Sequence, residues 1–386
     1  MDTDLIAWRR ELHACPETGF EERETAAKVA GLLSSFGAAG RGLEVATGIG
    51  GTGVVATLHR GSNPRSVGLR ADMDALAIQE TGGRPHGSRT PGRMHACGHD
   101  GHMAMLLGAA RALAADPDLD GTVQFVFQPA EEHGRGAKAM IADGLFNRFP
   151  MDEIYGLHNM PGIACGRFET RPGGILAAED NFVIRILGRG AHAARPHMSV
   201  DPIVTAAELV LALQTVVARS LDPAAQAVVS VTEFHTDGTR NVIPSRAVLK
   251  GDTRSYDPAV RALLEWRMSA LAAGICSAHG ADHEFEYSHE FEPTLNSPQC
   301  LEPALRAART VAGPGLVVGD CAPVLASEDF GAFLAVKPGN FMFLGSGLPG
   351  EPGGIPLHNP DYDFNDELLE PGVRYLVAVA KESLGR

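Results

Sequence analysis

Basic residues are scarce in this chain. Its 386 residues include 33 lysines and arginines against 47 aspartates and glutamates, a formal net charge of −14 at pH 7. A protein that binds nucleic acid needs a basic face, and one that binds an anionic membrane needs clustered lysine and arginine. The composition therefore argues against both kinds of partner. It also means that an acidic substrate would have to be held by local positive charge or by a metal ion.

Signals for export and for membrane insertion are lacking as well. The N-terminal residues have neither the basic start nor the long apolar run of a signal peptide, and no stretch approaches the length of a transmembrane helix. The six cysteines are scattered without paired spacing, and a chain of this length does not need disulfides to be stable. We therefore expect a protein of the reducing cytoplasm, and the length favours two domains.

Segments with strand and helix patterns alternate in the first half of the chain. Ser66–Asp72 and Thr122–Gln128 have the apolar pattern of buried strands, and the alanine- and leucine-rich segment Met103–Ala115 has that of a helix. This alternation predicts an α/β domain with a mostly parallel sheet flanked by helices. Ligands of such sheets bind beyond the carboxyl ends of the strands, and Asp72 and Glu131 fall just there.

One short run concentrates metal-ligand chemistry. His95-Ala-Cys97-Gly-His99-Asp100-Gly-His102 contains a thiol, three imidazoles and a carboxylate, and its glycines let the backbone bend so that these side chains can converge. Thiolate and imidazole are the usual ligands of zinc-like metals. Three other segments offer ligands too: Glu131-Glu132, His158-Asn159 and His358-Asn359. Four such segments in one chain are typical of a metalloenzyme.

The pattern changes around Arg171-Pro172-Gly173-Gly174. Alternating strands and two long helices follow, the first of which opens with Asp201 as N-cap and a proline at the first turn. These elements predict a smaller α+β domain over 177–292. Since His358 belongs with the ligands that precede this segment, we predict a catalytic domain of residues 1–176 plus 293–386, with the smaller domain inserted into it.

The adjacent Glu131 and Glu132 can do two different jobs. Neighbouring side chains in an extended segment point to opposite sides, so one can bind metal while the other faces the substrate and handles a proton. A solvated acidic pair is the commoner meaning of this dipeptide, but the other ligand segments favour the functional interpretation. Asp72 either orients a ligand or the base, or is a turn carboxylate at a strand end. His102 is expected to form hydrogen bonds rather than to bind metal.

Three polar residues of the inserted segment have open interpretations. His192 lies between a glycine-rich turn and a proline. It becomes functional only if this domain folds over the metal or if a partner subunit presents it, and otherwise it is structural. Asn241 and Arg254 stand at strand ends, where substrate contact and turn chemistry are both compatible with the sequence.

These motifs, in this order, resemble those of the M20 metallopeptidase clan, and in particular its branch of aminoacylases, hippurate hydrolases and indoleacetyl-amino-acid hydrolases. The similarity covers essentially the whole chain. The matching segments are Arg70-Ala-Asp-Met-Asp-Ala, Ala96-Cys-Gly-His-Asp-Gly-His, Phe127-Gln-Pro-Ala-Glu-Glu, Gly156-Leu-His-Asn, Gly190-Ala-His-Ala-Ala-Arg-Pro and Leu357-His-Asn-Pro-Asp. The resemblance implies a zinc-peptidase-like catalytic domain with two divalent metal ions (Zn, Mn, Co or Ni). It also implies an inserted dimerisation domain, or lid, through which a homodimer forms.

By matching position, the resemblance assigns roles to residues. The implied metal ligands are Cys97, His99, Glu132, His158 and His358. Glu131 would be the general base, and His192 the lid histidine that helps to polarise the scissile carbonyl, often across the dimer. Asn241 and Arg254 are candidates for the partners of the substrate carboxylate. Many clan members have a metal-binding histidine two residues before the strand-end aspartate, where this chain has Arg70, so the Cys97/His99 loop must supply what that histidine gives elsewhere.

The implied activity is hydrolysis of the amide bond of N-acyl amino acids, hippurate-like, N-acetylated or similar. Its products are a carboxylic acid and a free amino acid. Two alternatives stay open, namely a di- or aminopeptidase of the same clan and a non-catalytic scaffold that binds metal or peptide. The motifs do not specify the acyl group or the amino acid, because residues of the lid and loops set the shape of the pocket.

Overall fold

The computed structural model describes residues 3–36 and 42–385. The α-helices in these ranges are α1 (Thr3–His13), α2 (Arg23–Ser35), α3 (His99–Ala115), α4 (Gly136–Ala142), α5 (Leu145–Arg148), α6 (Pro202–Thr215), α7 (Pro258–His279), α8 (Pro298–Ala312), α9 (Phe330–Leu334) and α10 (Leu369–Leu384). The strands are β1 (Glu44–Ile49), β2 (Gly53–Arg60), β3 (Ser66–Asp72), β4 (Gly121–Gln128), β5 (Glu153–Pro161), β6 (Phe168–Glu169), β7 (Gly173–Leu176), β8 (Ala178–Leu187), β9 (Ala191–His192), β10 (Ala227–Thr236), β11 (Val242–Ile243), β12 (Arg246–Ser255), β13 (Asp282–Phe291), β14 (Thr294–Asn296), β15 (Val317–Val318) and β16 (Gly339–Gly347).

The chain divides into two compact units. The larger unit comprises Met1–Ile175, Thr294–Pro323 and Glu328–Arg386, and the smaller comprises Leu176–Pro293 and Val324–Ser327. The short segment Val324–Ser327 is absent from the domain bounds expected from the sequence. That the smaller unit acts as a dimerising lid stays a prediction.

The larger unit is built on an eight-stranded sheet of order β1-β2-β4-β3-β5-β16-β6-β15. Its central strands β4, β3, β5 and β16 run parallel to one another, whereas β1, β2 and β6 form antiparallel pairs nearer the edges. Central parallel strands are covered by helices and therefore consist of nearly continuous apolar runs. All nine residues of β16 are buried. The predicted α/β class with a mostly parallel sheet is confirmed.

A large core lies between this sheet and the helices α3, α8 and α10. Met103 and Leu106 of α3 and Val379 of α10 are fully buried together with Leu69 of β3 and Phe125 of β4. Burial of side chains of this size stabilises the fold by roughly 1.5–3 kcal/mol each. This packing fixes the positions of the strand ends, where the polar residues of the candidate site lie.

The smaller unit has an antiparallel sheet of order β10-β12-β8-β13 that packs on α6 and α7. Buried and partly exposed residues alternate along β8, as expected for a sheet with one covered face. Helix α6 begins as predicted: Asp201 Oδ1 accepts a hydrogen bond from the backbone N–H of Ile203 (2.9 Å), and Pro202 stands at the first turn.

One helix of the smaller unit is long and apolar. The helical segment Pro202–Ser220 has 19 residues and a mean hydropathy of 1.5, so it meets the length and composition of a membrane span. The expectation that no stretch approaches this length is therefore wrong. Core helices of globular domains meet the same two conditions, and Ala206, Leu209 and Leu213 of this helix are fully buried within the smaller unit.

Candidate metal centre

The parallel strands bring the predicted ligands to one edge of the large sheet. Asp72 ends β3, Glu131 and Glu132 follow the end of β4, and His158 lies in the second half of β5. His99 is the first residue of α3. Because the carboxyl ends of parallel strands meet at the same edge, residues far apart in sequence converge here, as the sequence pattern predicts.

The turn between Cys97 and His99 depends on glycine. Gly98 has a φ angle of 97°, in the left-handed region that glycine adopts readily. A Cβ atom at this position would lie 2.2 Å from Asn159 Oδ1, which is too close for any side chain. The turn places Cys97 and His99 so that each has a ligand atom within 4.8 Å of one on Glu132.

Cys97, Glu132 and His358 form one group of potential ligands. Each offers an atom within 4.8 Å of the other two, and His358 Nε2 lies 3.3 Å from Glu132 Oε1. His358 comes from a distant segment, which is tied to the ligand loop because the His358 backbone N–H donates to the Ala96 carbonyl (2.8 Å). Three segments of the chain therefore supply sulfur, oxygen and nitrogen at one point.

His99 and His158 both direct Nε2 toward the centre. A carbonyl oxygen can only accept, so His99 Nδ1 donates to the Asp74 carbonyl (2.8 Å) and His158 Nδ1 donates to the Asn159 carbonyl (2.7 Å). Each Nε2 therefore keeps its lone pair in the neutral ring, as a metal ligand requires. His158 Nε2 lies 3.5 Å from Cys97 Sγ.

Asp72 and His102 are close enough to join such a group, but their polar atoms are engaged. His102 Nδ1 lies 2.6 Å from Asp72 Oδ1, and His102 Nε2 lies 2.7 Å from Asn159 Oδ1. The second oxygen of Asp72 accepts from Arg70 Nη1 (2.8 Å). These contacts favour an orienting role for both residues, in agreement with the hydrogen-bonding role predicted for His102.

Unpartnered buried atoms show that the donor set fits a cation. Among the residues that the structure describes, His99 Nε2 and Glu132 Oε1 are buried, have no hydrogen-bond partner and lie 3.9 Å apart. Buried polar atoms are nearly always satisfied, so a cluster of unsatisfied acceptors points to a positively charged ligand. Burial, followed by the charges of Glu132 and Glu131, raises the pKa of the Cys97 thiol well above its usual value. A bound metal ion would oppose this effect and displace the proton.

Glu131 has an environment different from that of Glu132. It is buried, and its Oε1 accepts from the backbone N–H of Asp329 at 3.3 Å. Carboxylate oxygens of Glu328 and Asp329 lie within 4.8 Å of it. Burial, followed by the charges of Glu328 and Glu132, raises the pKa of Glu131 well above its usual value. A carboxylate in this environment can accept a proton, as a general base must.

Comparison with known proteins shows the family of this chain. Residues 68–382 match the profile of Peptidase family M20/M25/M40. The chain belongs to this family. It is 39% identical over 376 residues to the hippurate hydrolase of Campylobacter jejuni, which covers 97% of this chain and 95% of that protein. It is 40% identical over 296 residues to the N-acyl-L-amino acid amidohydrolase of Geobacillus stearothermophilus, which covers 76% of this chain and 78% of that protein.

A solved structure of the family has the same fold. The YXEP protein of Bacillus subtilis, a dinuclear metal binding peptidase from the M20 family, matches with a TM-score of 0.86 and 32% sequence identity. The match covers 99% of this chain and 98% of that one. The family predicted from the motifs is therefore confirmed.

His192 and Asn241 lie together in the smaller unit. Strands β9 and β11 form a two-stranded ribbon in which His192 is opposite Val242, and the Ala193 backbone N–H donates to the Asn241 carbonyl (3.0 Å). Both His192 and Asn241 are exposed. The catalytic role of His192 and the substrate-binding role of Asn241 stay predictions.

Arg254 also belongs to the smaller unit, and carboxylates hold its guanidinium. It pairs with Glu179 at 2.7 Å and with Asp252 at 2.7 Å. Binding a substrate carboxylate would require Arg254 to share these contacts. Its predicted role in substrate binding stays a prediction.

Glu328 and Asp329 could not be predicted as site residues from the sequence. They stand next to Glu131 in the structure, yet in the sequence they are one more pair of adjacent acidic residues before Phe330. Any pair of adjacent acidic residues in an extended segment is expected to point to opposite sides, as the sequence predicts for Glu131 and Glu132. Only the distant ligand segments made the first pair stand out, and no motif accompanies the second.

Proposed function

We propose that this chain is a metal-dependent amidohydrolase that cleaves the amide bond of N-acyl amino acids to a carboxylic acid and a free amino acid. The observation that carries the proposal is the convergence of unpartnered buried ligand atoms beside the buried carboxylate of Glu131. The activities for which two relatives are named, hippurate hydrolase and N-acyl-L-amino acid amidohydrolase, support this substrate class.

Two divalent ions would be held by five residues of the larger unit. These are Cys97, His99, Glu132, His158 and His358. Cys97 belongs with both sets of neighbours, since it groups with Glu132 and His358 and its Sγ lies 3.5 Å from His158 Nε2. The mixed sulfur, nitrogen and oxygen set suits zinc, and it also admits manganese, cobalt or nickel.

The protein's part in the reaction is to place and move protons. When bound, the divalent ions would polarise the amide carbonyl and lower the pKa of a water molecule. Glu131 accepts a proton from that water while the oxygen of the water adds to the carbonyl carbon. Glu131 then returns the proton to the amide nitrogen as the carbon–nitrogen bond breaks. The hydroxyl of the water is then part of the carboxylic acid and its proton is on the amine of the amino acid. Glu131 is again an ionised carboxylate.

The inserted domain completes the proposal. His192 would donate a hydrogen bond to the carbonyl oxygen, and Asn241 and Arg254 would bind the substrate carboxylate. We further propose a cytoplasmic homodimer formed through this domain, in which each His192 serves the partner's site. In support, Val204 and Leu211 of α6 are 53% and 72% exposed, and strand β10 is an edge of its sheet. Exposed apolar residues and open strand edges favour association.

A substrate panel tests the proposed function. The metal-loaded protein is incubated with hippurate, N-acetyl and indoleacetyl amino acids, with the corresponding amino acid amides, and with unblocked di- and tripeptides. Release of free amine is measured, and Glu131→Gln is the inactive control. We expect cleavage of N-acyl amino acids that carry a free carboxylate. Cleavage confined to unblocked peptides would indicate a di- or aminopeptidase instead, and no turnover of any compound would indicate a binding scaffold.

A further inference from the structure

Arg70 is a fully buried cation of the larger unit whose five N–H donors all have acceptors. Nε donates to Gln128 Oε1 (2.7 Å), and Nη1 donates to Asp72 Oδ2 (2.8 Å) and Glu328 Oε2 (3.4 Å). Nη2 donates to Glu328 Oε1 (2.8 Å) and Asp329 Oδ1 (3.3 Å). A buried charge is tolerated when it is paired and fully hydrogen-bonded, and this arrangement meets both conditions. The guanidinium is therefore held in one orientation.

One side of the guanidinium reaches the residues around the metal ligands. Asp72 is buried, with one oxygen held by Arg70 and the other by His102 Nδ1 (2.6 Å). The oxygen that Arg70 holds, Oδ2, also lies 3.7 Å from His99 Nε2. Arg70 thus fixes the strand-end carboxylate against which two histidines of α3 are set.

The other side of the guanidinium reaches Glu131. Glu328 makes a two-point contact with Arg70, and its Oε1 also accepts from the Phe330 backbone N–H (3.0 Å). Asp329, which lies between Glu328 and Phe330 in the sequence, donates its backbone N–H to Glu131 Oε1 (3.3 Å). The carboxylate of Glu131 is therefore oriented by a turn that Arg70 holds in place.

The charge of Arg70 is needed as well as its shape. Glu131, Glu328 and Asp329 place carboxylate oxygens within 4.8 Å of one another in a buried environment, so their mutual repulsion would push the turn away from Glu131. A planar guanidinium can bind two carboxylates at fixed positions, whereas the ammonium of lysine is a compact point charge that cannot reproduce this geometry.

We infer that Arg70 and Glu328 are positioning residues, which hold the 328–329 turn so that the Asp329 N–H keeps the Glu131 carboxylate oriented for proton transfer. This inference rests on the proposed function, because it takes Glu131 as the base. Neither residue is expected to touch the substrate or a metal ion. They act on the rate of the chemical step through Glu131.

Two substitutions at Glu328 test the inference. Glu328→Ala removes the two-point contact and frees the turn, and a small displacement of a catalytic group can lower turnover by about 10²-fold. We expect kcat per folded molecule to fall by about that factor, with KM within about 2-fold of the parent and metal content unchanged. Glu328→Gln keeps an oxygen that can accept from Arg70, so it should recover turnover to within about 10-fold of the parent.

Arg70→Lys provides a second, independent variant, which keeps the positive charge in the buried site. It should lower kcat by about 10²-fold with metal content unchanged, because lysine cannot hold Glu328 and Asp72 together. Arg261→Lys is the matched control, since Arg261 is another buried arginine that pairs with two carboxylates, Asp180 and Glu292, in the smaller unit. It should lower the melting temperature and leave kcat within about 2-fold.

Three results would overturn the inference. They are a kcat of folded Glu328→Ala or Arg70→Lys near that of the parent, a loss of metal that accounts for the loss of activity, and an equal loss of kcat in Arg261→Lys. If Glu328→Ala does not fold, Arg70→Lys decides by the same criteria. Failure of the proposed function is distinguishable, because the parent enzyme itself would then release no amine from N-acyl amino acids.

Discussion

Replacing Glu131 by glutamine changes the proposed base with little change in shape. The amide oxygen of glutamine can still accept the Asp329 N–H that now reaches Glu131 Oε1 at 3.3 Å, so the turn should stay in place. Glutamine cannot take a proton from water. A positioned base contributes about 10²–10⁴-fold, so kcat should fall by that factor, which corresponds to about 3–5.5 kcal/mol of activation free energy.

The same substitution should stabilise the metal-free fold. Burial and the charges of Glu328 and Glu132 raise the pKa of Glu131 above its ordinary 4.5. A carboxyl whose pKa is raised on folding adds stability below its unfolded pKa and loses that contribution as the pH rises through the folded pKa. Glu131→Gln should therefore be more stable than the parent at pH 8, and the difference should shrink toward pH 4.5.

Two measurements check this prediction together. Turnover of metal-loaded protein is followed by amine release, and unfolding of metal-free protein is followed by urea titration at several pH values. Bound metal is determined in the same samples, with the parent protein as the control. Retained turnover in fully loaded Glu131→Gln would refute the assignment of the base. A variant less stable than the parent at pH 8 would refute the account of its electrostatic environment.

Three further predictions concern other residues. Glu132→Gln should lose metal on dialysis because the Glu132 carboxylate faces His358 at 3.3 Å, and equal metal loss in Glu131→Gln would mean that the two roles are misassigned. Burial lowers the pKa of His13, but the charge of Asp100 and the hydrogen bonds to Asp100 and Glu80 together outweigh it and raise this pKa to about 9, so protonated His13 should stabilise the fold below its ordinary value of 6.5 and cease to do so as the pH rises to 9. Urea unfolding at several pH values should show a free energy of unfolding that falls as the pH rises from 6.5 to 9, and His13→Asn should reduce this fall. An unchanged pH dependence in the variant would contradict the assignment. His192→Ala should lower kcat by about 10²–10³-fold with metal unchanged, and mixing it with Glu131→Gln should restore part of the activity if the histidine acts across the dimer. Continued inactivity despite demonstrated subunit exchange would contradict a shared site.

The ligand segments could be recognised from sequence because each joins uncommon chemistry to a local structural signal. Cys97 and His99 flank a glycine that must adopt a positive φ, and Glu131 and Glu132 follow a strand whose burial is evident from its composition. Such signals are local, so they survive without knowledge of the fold. His158 carries little signal by itself, and it could be identified only in the company of the others.

Roles that arise from distant contacts could not be predicted. Arg70 stands where many clan members have a histidine. No local pattern indicates that Glu328, 258 residues later, accepts two of its hydrogen bonds. The segment Val324–Ser327 joins the smaller unit for a similar reason, since the Ala177 N–H donates to the Ala326 carbonyl at 2.9 Å. Backbone pairing of this kind leaves no trace in residue type.

The direction of the antiparallel strands in the large sheet could not be predicted from the sequence for a related reason. Residues Gly53–Arg60 have the same apolar character whether their neighbour runs parallel or antiparallel, because burial selects the side chains and the connection selects the direction. Strand direction depends on the length of the connecting segment and on the partner strand. The parallel centre could be predicted because helical segments separate its strands.

Metal titration of the stripped enzyme tests the central claim most directly. The protein is exhaustively demetallated and then titrated with zinc or manganese, while amine release from an N-acyl amino acid and the amount of bound metal are measured. We expect no turnover without metal, recovery as metal binds up to two ions per chain, and no recovery in a variant that lacks both Cys97 and Glu132. Full activity in the demetallated protein would contradict it.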